Sequence, residues 1–238
     1  LRADREIVMT AVQGYGGALQ LASKEFRTDR EIVLVAVQNW MSLEFASEEL
    51  RADREIVMAA IQKWSAPSAL KFASEELRQD REIAMAAVKR NGGALEYASK
   101  ELRADCEIVL AAVTAENSLP SALQYASDAL RASREIVFAA VQKDGESLDL
   151  AGKKLQSDRE VVLAAVQNHG EALQYASKEL RADQEIVLTA VQNRGMNLRT
   201  ERGLPLKYAS DSLKADREVV LAAVQNNGAA LEHASDEL

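Results

Sequence analysis

Residues 4–13 read Asp4-Arg5-Glu6-Ile7-Val8-Met9-Thr10-Ala11-Val12-Gln13: a charged opening, a mostly apolar block, a polar close. A helix apolar on most sides is buried on most sides. Asp4 is placed to N-cap it, and Glu6 lies in the first turn, where negative charge suits the helix dipole. The pattern therefore predicts an inner helix, A, from about Arg5 to Gln13. Gly16 follows and reads as a helix stop able to turn left-handed. Beyond it, Leu19, Ala22, Ser23 and Phe26 fall at i, i+3, i+4 and i+7. One such stripe predicts a second helix, B, from about Ala18 to Phe26.

This two-part pattern recurs. Copies of the opening begin at Asp4, Asp29, Asp53, Asp80, Asp105, Ser133, Asp158, Asp183 and Asp216, mostly 24 to 28 residues apart, with a last step of 33. Glycine recurs in the stop column at Gly92, Gly145, Gly170, Gly195 and Gly228, and leucine at Leu19, Leu43, Leu70, Leu95, Leu123, Leu148, Leu173, Leu206 and Leu231. An alanine follows each leucine three residues on, then a serine in eight copies or Gly152 in one. Columns held to such small residues predict a close helix crossing. A fixed period in this range marks a stacked array. The expected fold is all-α, a solenoid of nine antiparallel helix pairs of about 25 residues, in units of about 1–25, 26–49, 50–76, 77–101, 102–129, 130–154, 155–179, 180–212 and 213–238. The link from B to the next cap keeps its length. The A-to-B loop takes every length change, with Pro67, Pro120 and Pro205 and an insertion from about Met196 to Leu204. Insertions in arrays mark one face, often the one that binds.

Residues 155–180 and 213–238 approach one phrase, Leu-x-x-Asp-Arg-Glu-Ile-Val-Leu-Ala-Ala-Val-Gln-Asn-x-Gly-x-Ala-Leu-x-Tyr-Ala-Ser-x-Glu-Leu. This phrase resembles the repeat family known as domain of unknown function 4116, and variants of it cover nearly the whole chain. The resemblance implies tandem helical repeats and brings no catalytic residue with it. Departures are local: Ser133 at a cap, Cys106 and Gln184 in the arginine column, and the insertion near Met196.

Composition narrows the function. A formal net charge of −8 argues against nucleic acid, whose phosphates call for a basic surface. One cysteine excludes an internal disulfide framework and suits a non-disulfide compartment, cytoplasm or organelle interior. The longest apolar runs, such as Ile32 to Val37, are six residues, far below the roughly 20 of a membrane helix. The chain opens on the last residue of one B segment and closes on another, and so reads as an excerpt of a longer array, with further repeats or another subunit at its ends.

Chemistry is sparse. His169 lies in an A-to-B loop and His233 in the B column that is usually aromatic, too far apart to share a metal. Cys106 stands at a helix start, where a thiol pKa can fall, but one residue makes no site. Glutamate recurs in every copy, from Glu6 to Glu218, as a residue demanded equally by all units. It is expected to serve the helix dipole and pair with a nearby arginine. A B column of Leu21, Phe45, Phe72, Tyr97, Tyr125, Leu150, Tyr175, Tyr208 and His233 packs on the next unit or forms a ladder for a ligand. Tyr15, Trp40 and Trp64 share one loop column in three successive units, with Met41 beside Trp40, and Arg194, Arg199 and Arg202 make a basic spot near the insertion. These seven residues are the candidate partner-binding set. No catalytic, cofactor or metal residue is assigned. The expected function is a non-catalytic scaffold or adaptor for another protein, such as a peripheral subunit of a larger assembly. The alternative is a small-ligand or pigment-binding module on the B aromatic column.

Overall fold

Each apolar block folds as the A helix that its pattern predicts, and Asp4 caps the first one by accepting from the N–H groups of Glu6 and Ile7. The structure, a computed structural model, describes residues 4–39, 42–63, 68–117, 122–193 and 204–236. They fall into two units, Leu1–Ser127 and Asp128–Leu238. In the first, the A helices are Arg5–Gly14, Arg30–Asn39, Arg54–Lys63, Arg81–Arg90 and Cys106–Thr114. In the second they are Arg134–Lys143, Arg159–Asn168, Gln184–Gln192 and Arg217–Asn226. Among the described residues there is no strand. Within each unit every A helix lies beside that of the next copy, giving an all-α repeat fold.

The second half of a copy differs from the expected helix B. A 3-10 segment, Gly16–Leu21 in the first copy, is followed by extended Ala22 and Ser23, then by the short turn Lys24–Arg27. Three-residue periodicity satisfies a 3-10 helix as well as an α-helix, so the stripe alone could not separate them. What breaks the helix is a bond between copies. Ser47 N–H donates to Arg27 C=O at 2.9 Å, Ser74 to Arg51 at 2.9 Å and Ser127 to Arg103 at 2.9 Å. In the second unit Gly152 donates to Arg131 at 2.9 Å, Ser177 to Gln156 at 2.8 Å and Ser210 to Arg181 at 2.9 Å. A residue bonded sideways to the previous copy cannot also bond four residues back. The donor is backbone, which is why Gly152 serves in a serine column.

The small-residue column is therefore not a helix crossing. Ala46, Ala98, Ala126 and Ala176 are buried at the extended link, beside the residue whose backbone bonds to the preceding copy. The leucine column is core as expected: Leu19, Leu70, Leu95, Leu123, Leu148, Leu173 and Leu206 are fully buried. Each contributes roughly 1.5–3 kcal/mol relative to an exposed side chain.

The glycine column also has a different cause. A Cβ on Gly145 would lie 2.3 Å from the Ala165 carbonyl oxygen, and one on Gly170 would lie 2.3 Å from that of Ala190. Glycine is needed there because the loop presses on the A helix of the following copy, not because the backbone turns left-handed. The helix stop itself is an extended residue, Asn91 at φ −155° and His169 at φ −143°.

Candidate functional site

The repeated Asp-Arg-Glu is a joint between copies. Arg5 reaches Asp29 at 3.1 Å and Glu31 of the next copy, and Arg30 reaches Asp53 at 2.9 Å and Glu55. Arg54 pairs with Asp80 and Glu82, and Arg81 with Asp105 at 3.5 Å and Glu107. The second unit repeats this from Arg134 to Asp158 and Glu160, then from Arg159 to Asp183 and Glu185. Gln184 stands in for arginine by donating to Glu218 at 3.2 Å. The expected pairing of glutamate with arginine holds at Glu31, Glu55, Glu82, Glu107, Glu160 and Glu185, with the arginine coming from the copy before. Ser133, in the aspartate column, makes no side-chain cap bond. Cys106 is an exposed thiol.

The caps respond to pH. Partial burial works against ionisation at Asp53, Asp80 and Asp158, but N–H bonds and the paired arginine outweigh it and hold each carboxyl below the usual range. A depressed folded pKa contributes stability that is present above the unfolded value and lost as pH falls through the folded one. Asp158→Asn should cost no more than about 1 kcal/mol at pH 7, because the pair is largely solvated. It should also flatten the loss of stability below about pH 4. Asp158→Ala removes the cap as well and should cost about 1–2 kcal/mol. Urea midpoints from pH 2 to 8 check both; an acid limb unchanged in Asp158→Asn would show that the cap carboxylate does not contribute.

A second joint escapes sequence reasoning. Asn168 donates to Gln142 C=O at 3.0 Å and accepts from Gly145 N–H at 2.8 Å. Asn193 donates to the carbonyls of Val166 at 2.9 Å and Gln167 at 2.8 Å, and Asn226 to that of Val191 at 2.6 Å. Each asparagine satisfies carbonyls that the A helix of the preceding copy leaves open at its C-terminus. The signal was present, since Asn39, Asn168, Asn193 and Asn226 share a column.

Of the seven candidate partner residues, Tyr15 is described. It is 54% exposed, and its ring lies over Gly17, where an added Cβ would fall 2.5 Å from Tyr15 Cζ. Trp40, Met41, Trp64, Arg194, Arg199 and Arg202 lie outside the described residues. The aromatic column, carried by the short α-helix Ser68–Phe72 in one copy and by 3-10 segments in the others, is half-buried from Phe45 to Tyr208. Lys71 sits over the rings of Phe72 at 5.4 Å and Tyr97 at 6.0 Å. Burial raises the phenols of Tyr97 and Tyr125, and a hydrogen bond from each to Glu96 raises them further. The column thus packs from copy to copy. Shallow grooves open beside it, one against Arg78, Ser99 and Arg103 and an equivalent one against Gln156, Ser177 and Arg181.

The A helices carry a column not singled out in the sequence: Met9, Leu34, Met58, Met85 and Leu110 in the first unit, and Phe138, Leu163, Leu188 and Leu221 in the second. All are partly exposed, Leu221 at 43%. In the second unit Phe138 and Leu163 line a groove with Gln142, Ala164, Gln167 and Asn168.

These joints link one copy to the next, as a tandem repeat requires. Matches to one family model run over residues 4–51, 38–78, 53–103, 80–119, 105–156, 158–200 and 201–238. The chain belongs to the family described as Domain of unknown function (DUF4116). No curated protein matches it, and no solved structure does. The DUF4116 phrase now has a physical reading. Asp, Arg and Glu are joint residues, Asn closes the neighbouring helix, Gly admits it, Leu is core, and Ala-Ser is the link. Among the described residues no helix of this DUF4116 array is long and apolar enough to cross a membrane.

Proposed function

We propose that this DUF4116 array is a non-catalytic scaffold that binds another protein. The observation that carries the reading is the A-helix column from Met9 to Leu110 and from Phe138 to Leu221, apolar in every copy yet partly exposed in every copy. The joints between copies are polar or lie at the links, so they do not by themselves require a large apolar side chain at this position. Apolar side chains repeated along a surface suit an apolar partner segment, read at i, i+3 and i+4 if it is helical. On a chain of net charge −8, basic flanks on that segment would strengthen the fit. Tyr15, Trp40, Met41 and Trp64 are a second candidate set in the same reading, and Arg194, Arg199 and Arg202, at the insertion, a third.

The test is capture of partners by the parent and by two variants. Met58→Gln with Met85→Gln and Leu110→Gln should lose the partner while keeping the helical circular dichroism signal, at a cost of about 1 kcal/mol per partly exposed site. Trp40→Asn with Trp64→Asn borrows the residue that stands at Asn91 and Asn227 and reads the loop column in the same assay. A parent partner retained by both variants removes both surfaces. The rival reading, a small ligand held along the half-buried tyrosines, rests on the grooves beside Tyr97 and Tyr175. A small molecule retained in native mass spectrometry would favour it.

A further inference from the structure

Three residues at variable positions of the repeat meet at one place in the second unit. His169 stands in a column that elsewhere holds Tyr15, Trp40, Trp64, Asn91, Glu116, Asp144, Arg194 and Asn227. Glu146 and Glu171 stand where the other described copies with this loop have Gly17, Gly93 and Ala229. Glu146 is the second residue of the 3-10 segment Gly145–Leu150, and Glu171 that of Gly170–Tyr175, with His169 just before the latter. Stacking of the two copies brings the loops together. His169 Nε2 is 3.8 Å from Glu146 Oε1 and 3.9 Å from Glu171 Oε2, and the three atoms all lie within 4.8 Å of one another. The second and third donors are glutamates, one of them on another copy.

We propose that Glu146, His169 and Glu171 bind a divalent transition-metal ion, zinc first. A charge-assisted hydrogen bond would draw its atoms to about 2.7–2.9 Å. The wider spacing leaves room between the donors for an ion held at about 2.0–2.2 Å from each. One imidazole with two carboxylates suits zinc, manganese or iron rather than calcium or magnesium, which take oxygen donors. With three protein ligands, water completes the shell. The backbone is held for the task. Gly145 and Gly170 press on the carbonyls of Ala165 and Ala190, so the turns carrying the donors have little room to shift. Glu171 is 17% exposed, His169 32% and Glu146 50%, which shields the ion on one side and leaves an entry on the other. The field is negative as well: burial raises the Tyr175 phenol, and Asp149, Glu146 and Glu171 raise it further.

The test is zinc titration of the untagged 238-residue chain after chelator treatment, read by calorimetry and by melting temperature. One ion per chain and a raised melting temperature are expected. His169→Asn, the residue at Asn91 and Asn227, and Glu171→Gln should keep the fold and each weaken zinc by roughly 100-fold. Cys106→Ser and His233→Asn should leave the affinity unchanged. Zinc uptake that survives His169→Asn, or is lost in Cys106→Ser, overturns the proposal. So does a parent chain that takes up no zinc, or one that binds calcium as tightly as zinc.

Discussion

Leu173→Ala should lower stability by about 3–5 kcal/mol, while Leu231→Ala should cost less than about 1 kcal/mol. The two leucines hold the same place in the repeat, but Leu173 is fully buried and Leu231 is 65% exposed. Around Leu173, the segment Gly170–Tyr175 packs against both Arg159–Asn168 and the following helix Gln184–Gln192. Around Leu231, Gly228–His233 packs against its own helix, Arg217–Asn226. Truncating Leu173 therefore opens a cavity that two helices would have to collapse to fill, whereas truncating Leu231 changes a half-covered surface. Urea denaturation of the two variants decides the matter. Equal shifts would mean that a copy buries its own leucine without help from the next.

Gly170→Ala should show the second large effect, a loss of about 3 kcal/mol from overpacking, with Gly228→Ala near neutral or slightly stabilising. An added Cβ at Gly170 meets the Ala190 carbonyl oxygen at 2.3 Å and Pro205 Cγ at 3.0 Å, whereas one at Gly228 meets nothing within 4 Å. A backbone oxygen cannot swing aside as a flexible side chain can, so the loop must lift off the helix it rests on. Thermal melts of the pair measure it. If glycine were needed for a left-handed turn instead, both substitutions would be costly by similar amounts.

How far the fold could be read from the chain follows from where each restraint acts. The A helix was legible to within a residue, observed at Arg5–Gly14 in the first copy, because cap, first-turn glutamate and apolar block all lie inside the ten residues from Asp4 to Gln13. The second half of the copy was not. Its leucine and alanine columns follow a helical period, but the bond that interrupts the helix at Ser47 comes from Arg27 of the previous copy, and no side chain announces it. The same holds for Gly145, where a glycine that looks like a local stop is a point of contact with Ala165. Of the candidate partner residues Tyr15 is described, and it is exposed. The metal-ligand set was invisible because Glu146 and His169 lie 23 positions apart and meet only when copies stack. The A-helix column from Met9 onward was visible as hydrophobic and was taken for core, since periodicity does not reveal that its outer edge stays in water.

The joints have a direction. Where a copy carries the arginine of Asp-Arg-Glu, as at Arg30 and Arg159, it reaches forward, and the aspartate and glutamate of the next copy receive from behind. The asparagine at the end of the helix reaches backward. One copy thus carries a plug on one side and the matching socket on the other. Duplicating or excising a copy that carries both joints, such as the one that begins at Asp158, leaves each plug facing a socket, so the array can lengthen or shorten there in single steps with no further substitution. Inverting a copy, or cutting within one, breaks the match on both sides. The reading frame of growth is therefore set by the joint rather than by the helix, and the natural breakpoint is the constant stretch before each cap, such as Leu50-Arg51-Ala52 and Leu180-Arg181-Ala182.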